Sequence, residues 1–423
     1  MFSKWHWMIV QISRQLWVRA LLYALLAVAT VLSTIIFKEL IPADLAGKIG
    51  AEAVDKILGI LASGMLVVTT FSLSVMVTAF NSATSSISPR ATRLLMEDSI
   101  TQNVLGTFIG SFLFSLIGII ALNTGAYDNE GRVILFIVTL CVIAVIVATI
   151  LIWIEHLSHL GRVGETSSKV EKAALAAVLQ RAEYPWLGGS PLHTTQIPSK
   201  ATPVYSEQIG YIQHIDVAAV SHWANKTDSN VYVSSLPGAF VHPKRALAWV
   251  ETTTQSGLDA VESAFSIAHE RSFDQDPRFG LSVLTEIASR ALSPAVNDPG
   301  TAIEIIGRGL RILSHWKDCE AQANVDTAVE YPRVHVPSVT LEELFDDFFT
   351  PIARDGARMV EVQIRLQKAL GALGQIGGAF HDNAQRHSYS ALHRAEASLA
   401  FEGDKETLRT LVKNLTNEAG GLQ

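Results

Sequence analysis

Through its first 160 residues the chain alternates long apolar runs with short polar breaks, and the runs at 20–37, 57–80, 104–122 and 133–154 are almost free of charge. At ~1.5 Å per residue each is long enough to cross a hydrocarbon layer of ~30 Å. The pattern predicts four transmembrane helices within 1–160. Ahead of the first run, Phe2, Trp5, Ile9, Ile12 and Leu16 recur every three or four residues, the spacing of an amphipathic helix lying in the headgroup layer.

The second run differs from the others in its hydroxyls. Between Ile57 and Asn81 there is no charge, but Ser63, Thr70, Ser74, Thr78 and Asn81 follow one another at intervals of seven, four, four and three, which puts them along one side of a helix. In lipid such a side calls for a protein or water neighbour. It serves either as a packing face, where small hydroxyl residues let helices approach closely, or as the lining of a wet path at the axis of an oligomer. Four spans are too few to enclose a path alone, so the second reading requires a homo-oligomer. The absence of charge at depth argues against a proton-coupled pump.

Between the second and third runs, Ser88 and Pro89 form a helix start, a capping hydroxyl followed by proline at the first helical position. With Arg90 and Arg93 they make a membrane-surface elbow, either a connector held by lipid phosphates or a lever joined to the second span. Arg93 and Glu97 are one turn apart, and Ser99 with Gln102 suggests a capping box for the third span. There Gly106 and Gly110, then Ser111 and Ser115, form small-xxx-small pairs that favour tight helix contact. The short connection from Asn123 to Arg132 makes the third and fourth spans antiparallel neighbours. Trp153, Glu155, His156 and His159 close the fourth span; two imidazoles and a carboxylate on one turn are a weak metal signal, and a solvated helix end is the simpler reading.

Beyond residue 160 the period changes. A helix at 163–183 leads into a stretch rich in Pro, Gly, Ser and Thr, so 161–206 reads as helix and linker. Residues 207–255 read as a small mixed α/β subdomain, with IGYIQHID and NVYVSSL alternating like strands, AVSHWAN a short helix between them, and PGAFVHPKRALAWVE a turn and third strand. Residues 256–423 read as mainly helical: LDAVESAFSIAHERSF, GLSVLTEIASRAL and TAIEIIGRGLRILSHWKD are helix patterns, RVHVPSV a strand, and the rest amphipathic helix. In NDPGTAIE, Asp298 can cap a helix that opens at Pro299. The free amides of that end, with Arg290, Asn297, Thr301 and Arg308, outline a small-anion site. The fold class is thus membrane α-helical followed by an α+β region that is mainly helical.

Composition sharpens this picture. Of 423 residues 49% are hydrophobic and 17% charged, with a mean hydropathy of +0.28, and the apolar excess lies in the membrane part. Lys4, Arg14, Arg19, Arg90, Arg93, Arg162, Lys169 and Lys172 fall on one side of the spans, against Lys38, Lys48, Lys56 and Arg132 on the other, so both termini should face the cytoplasm. Trp5, His6, Trp7 and Trp17 make the leader too long for a cleavable signal. Cys141 and Cys319 are too far apart in topology to pair, which fits a reducing compartment.

Residues 1–159 balance 9 basic against 9 acidic side chains, so the net charge of −7 belongs to the remainder. That acidic part carries no basic stripe for a nucleic acid. The 13 histidines do not gather at metal spacing, His381, Asp382 and His387 being the nearest approach. No P-loop, dinucleotide fingerprint, nucleophile elbow or zinc-protease motif is present. No enzyme activity, cofactor or metal is expected.

SISPRATRLLMED with the following TQNVLGTFIGSFLFSLIGI, and later DQDPRFGL with ALSPAVNDPGTAIE, resemble a bacterial family of predicted membrane proteins known as domain of unknown function 2254. The resemblance covers nearly the whole chain. It implies four spans with a large soluble portion, and it brings no activity, substrate, cofactor or functional residue; the expected location is the bacterial inner membrane. The residues themselves point first to a homo-oligomeric, channel-like conduit with a Ser/Thr-lined second helix and an acidic cytoplasmic vestibule. The alternative is a membrane-anchored scaffold or sensor whose cytoplasmic part binds a partner or small anion.

Overall fold

The computed structural model describes residues 51–96, 98–124, 129–159, 161–192, 197–252, 254–323 and 329–420, with the single positions 8, 17, 18, 21, 25, 28 and 29. The expected span at 20–37 and the expected N-terminal amphipathic helix lie outside the described residues apart from those helical single positions. The chain divides into two compact units. The smaller holds Met8–Ser85 and Thr92–Glu165, and the larger takes Ser86–Ala91 together with Thr166–Gln423.

The smaller unit is built on α1 (Ala51–Ser86), the end of α2 (Pro89–Met96), α3 (Ser99–Asn123) and α4 (Asn129–His159). Within these, Glu52–Ser82, Ser99–Asn123 and Gly131–Ser158 are long and apolar enough to cross a membrane. Val54 and Leu58 of α1 close on Phe114, Ala121 and Leu135 at one end, and Met65 closes on Val104, Phe108, Ile146 and Trp153 at the other. The start of α3 therefore meets the end of α4, and the two run antiparallel.

The small residues of α3, namely Gly106, Gly110, Ser111, Ser115 and Gly118, are all buried. A Cβ on Gly118 would lie 3.0 Å from a methyl of Leu58, so the glycine lets α1 sit closer. Although the hydroxyl-bearing helix is the most distinctive in sequence, α3 is the one enclosed, 61% of its apolar window being buried against 17% for α1. Its cap is Asp98, whose carboxylate accepts from the Thr101 amide at 3.0 Å. Ser99 is already inside the helix, which replaces the expected Ser99–Gln102 box.

The larger unit opens with α5 (Val163–Glu183) and two sheets. One has the order β1-β8-β4-β6-β2, from Gly189–Pro191, Tyr331–Val336, Val231–Val233, Ala248–Val250 and Thr202–Val204. Its β1/β8 and β8/β4 pairs are parallel and the others antiparallel. The second sheet, antiparallel, has the order β5-β3-β7, from Phe240–Val241, Gly210–Ile215 and Phe265–Ala268. Helix α6 (Val217–Thr227) starts at Asp216, whose side chain accepts from Ala219. Ile212, Ile215, Val231, Val233, Val250, Val334 and Val336 form one buried core.

Two readings of the sequence change here. The stretch taken as a linker contributes β1 and β2, strands of three residues that are too short to show alternation. The run at 258–273, read as one helix, divides into α7 (Gln255–Glu262) and β7, because Phe265–Ala268 finds a strand partner in β3 some fifty residues upstream.

Among the described residues six further helices follow: α8 (Pro277–Ala291), α9 (Pro299–Ala323), α10 (Leu341–Asp355), α11 (Val360–Gly374), α12 (Ala379–Ser398) and α13 (Glu402–Gly420). Glycines set two of their approaches. A Cβ on Gly280 would fall 2.2 Å from Cβ of Ala174 on α5, and one on Gly309 would fall 2.0 Å from the Phe348 ring. Helix α10 starts with a complete capping box between Thr340 and Glu343, and the fully buried Phe345, Phe348 and Phe349 pack along it.

Candidate functional site

On α1 the buried residues Val54, Leu58, Met65 and Ser72 define one face. At about 100° per residue, Ser63, Thr70, Ser74 and Asn81 fall roughly opposite that face, with Thr78 displaced to one edge. All five are exposed. The structure thus brings the stripe together on the outward pole of the unit, flanked by exposed Ile60, Val67, Phe71 and Val77. The Ser63 hydroxyl donates to the Gly59 carbonyl at 2.9 Å, Thr70 to Leu66 at 3.0 Å and Thr78 to Ser74 at 2.9 Å. Each donor is satisfied one turn back in its own helix, and its oxygen lone pairs stay available on the outside.

The elbow is organised as its sequence suggests and joined to a partner the sequence could not name. Pro89 opens α2, and the Ser88 hydroxyl accepts from the Arg90 amide at 3.2 Å. The same hydroxyl donates to Glu286 on α8 at 2.7 Å, and Arg90 pairs with the other oxygen of that carboxylate. Ile87 and Ala91 beside them are fully buried. Arg93 follows within α2, while Glu97, its expected partner, lies outside the described residues. Glu286 lines an open groove that also carries Asp346 and Asp347, so a cationic side chain on the elbow meets an acidic surface.

At the proposed anion site the parts separate. Asp298 caps α9, accepting from the Thr301 amide at 3.1 Å and the Thr301 hydroxyl at 2.6 Å, and these bonds hold its carboxyl below the usual range. The capping carboxylate therefore occupies the helix end that an anion would use. Asn297 takes a left-handed conformation with φ +51, and Arg290 stands in the last turn of α8. Arg308 lies ten residues along α9, roughly 15 Å away at ~1.5 Å per residue. There it pairs with Glu171 of α5 and with Glu304, 2.6 Å. Arg311 shares Glu171.

The end of α4 also rearranges. Glu155 is exposed, whereas the His156 Nε2 lies 3.0 Å from the Asp98 carboxylate and 3.1 Å from the Thr101 hydroxyl, with Trp153 stacked beside it. The side chain of His159 lies outside the described residues. His387, of the group nearest to metal spacing, lies 3.0 Å from Asp346 on α10. Among the described residues no three His, Cys, Asp or Glu side chains converge on a point where a metal could sit.

Comparison with known proteins agrees with the apolar helices. Residues 13–372 match the family described as "Predicted membrane protein (DUF2254)". Two uncharacterized proteins, one from Mycobacterium tuberculosis and one from Mycobacterium bovis, are each 28% identical over 247 residues, covering 56% of this chain and 47% of theirs. The chain spans about half the length of these curated relatives. No solved structure matches. With most of its length covered by the family match, and with three helices among the described residues fit to cross a membrane, the chain belongs to the DUF2254 family of predicted membrane proteins.

Proposed function

We propose that this protein is a homo-oligomeric conduit of the bacterial inner membrane, with both termini and the larger, acidic unit on the cytoplasmic side. The observation that carries the proposal is the position of the stripe: Ser63, Thr70, Ser74 and Asn81 stand opposite the face of α1 that packs within its own subunit. A polar stripe turned to acyl chains gains nothing from them, whereas several copies meeting on it would surround a path lined by hydroxyl oxygens. Exposed Ile60, Val67 and Phe71 on its flanks supply apolar contact between neighbours. The elbow is continuous with α1 and is held by Glu286 of α8, so a movement of that helix would be passed to the lining helix.

The test is to reconstitute the full chain in nanodiscs and planar bilayers. Native mass spectrometry is expected to give one defined oligomer. Single-channel recording is expected to show a conductance that falls stepwise on Thr70→Leu and Ser74→Leu. A monomer in nanodiscs, or silence across voltage, tension and pH, would remove the conduit.

The Ser88 and Arg90 joint with Glu286 favours one second reading, a membrane-anchored sensor whose soluble unit reports on a ligand. In that case the joint would matter in a protein that carries no current.

A further inference from the structure

The segment Asp274–Gly280 takes no part in the hydroxyl face, yet its polar groups are densely bonded. Asp276 is 2% exposed. One carboxylate oxygen takes Nε and Nη2 of Arg271 at 2.8 and 2.7 Å, and the other takes the amides of Arg278 and Phe279 at 3.1 and 3.2 Å. Arg271 lies over the Phe279 ring, 5.0 Å from its centroid. Arg278 is gripped in turn by Asp347, through Nε at 2.7 Å and Nη2 at 3.1 Å, and by Glu343. Two guanidinium planes are thus fixed by acceptors before any ligand arrives.

These planes border a cavity of about 310 Å³. Arg245, Arg271, Arg278, Ser234, Ser338 and Glu343 line it, with the turn at Leu236–Ala239. Gly238 is required in that turn: its φ is +91, and a Cβ there would fall 2.1 Å from the Asp276 carboxylate. The lining carries three guanidiniums and one carboxylate. Asp276 and Asp347, which orient two of the arginines, do not line it.

Donors remain to be used. Arg271 spends Nε and Nη2 on Asp276, and its Nη1 has no partner among the described residues. Arg245 spends one N–H on the Phe240 carbonyl. Ser338 accepts from Trp186 Nε1 at 2.8 Å, which leaves its own proton to give. Asp276, Asp347 and Glu343 balance the three guanidiniums, and the donors left over, forked and from separate segments, suit an oxyanion with more than two acceptor atoms. The volume is at the low end for ligand pockets, about 300–1,000 Å³, and excludes a long acyl chain.

We propose that this cavity binds a small water-soluble phosphate monoester through its phosphoryl group. The site differs from the Asp298 helix end and does not depend on the conduit reading.

The test is calorimetric titration of the full detergent-solubilised chain with inorganic phosphate and with glycerol 3-phosphate, glycerol serving as control. Expected is saturable binding of both phosphates at one site per chain. Arg245→Ala, which gives up only a turn contact, should weaken it by about tenfold or more, and Arg245→Lys should recover part of the loss. Absence of saturable binding up to about 10 mM, or equal binding by Arg245→Ala and the unaltered chain, would overturn the proposal. If Arg245→Ala does not fold, Arg245→Lys decides: an unchanged affinity for glycerol 3-phosphate would overturn the site, and a weakened one would uphold it.

Discussion

Helix α1 of the smaller unit and the helices of the larger unit use their polar side chains in opposite ways. On α1 the hydroxyls of Ser63, Thr70 and Thr78 bond within their own helix. In the larger unit the strong polar contacts run between elements: Arg308 of α9 to Glu171 of α5, Arg278 of α8 to Glu343 and Asp347 of α10, and Ser88 to Glu286. Contacts between elements fix where each helix sits, so removing one partner exposes the other to an unmet burial cost. Contacts inside one helix fix nothing beyond it and leave its outer face open to a new neighbour. The larger unit is therefore specified internally, and α1 is specified on one face only.

Substitutions can press on this contrast, from the largest effect downward. Phe348→Ala removes a ring with no exposed surface that fills the space over Gly309, and should lower the stability of the larger unit by about 4 kcal/mol in denaturant unfolding. Arg308→Ala should cost about 3 kcal/mol, since both Arg308 and Glu171 are largely buried. A loss below ~1 kcal/mol would put this pair among ordinary surface pairs and break the comparison.

Acid should reveal the same unit. Burial, with Arg386 beside it, pushes the His387 imidazole down to about 4, against the pull of Asp346. Its neutral form favours the fold above the unfolded value of ~6.5, and that contribution disappears as pH falls toward about 4. Full protonation should cost on the order of 3 kcal/mol, and His387→Phe should flatten the melting temperature over this window. Glu171 acts lower down. Burial raises its pKa, but Arg311 and Arg308 more than offset this and hold it below the usual range. Its contribution is complete above ~4.3 and is lost as pH falls through the lowered folded value.

Smaller effects are expected at the elbow and on the stripe. Glu286→Gln weakens a partly exposed ion pair and should cost about 0.5–1 kcal/mol; Ser88→Ala should cost about 1 kcal/mol. Thr70→Val should change the stability of a single copy by less than about 0.5 kcal/mol, because its hydroxyl meets no other element among the described residues. A large loss in a monomeric preparation would mean that α1 is held on this side after all.

What the sequence made readable follows the range of each interaction. The helix starts at Pro89 and Pro299 were plain because cap and proline are neighbours in the chain, and the stripe was plain because a helical period is local. Thr101 with His156 and Ser88 with Glu286 were not, since 55 residues separate the first pair and 198 the second. Strand β7 was hidden for the same reason: Phe265–Ala268 carries a helix-compatible pattern, and only its pairing with β3 makes it extended. At the Asp298 end the cap was legible but its consequence was not, because the carboxylate that starts the helix also fills the place an anion would take. Arg245, Arg271 and Arg278 gave no joint signal, coming from separate turns that folding brings to one cavity.

The back-bonded hydroxyls of α1 bear on how such an assembly would be made. With Ser63, Thr70 and Thr78 already donating one turn behind, a newly inserted copy carries no unmet hydroxyl donor at those positions. Copies could enter the bilayer singly, persist there, and meet later by lateral diffusion. The fraction assembled would then follow how densely the membrane is populated.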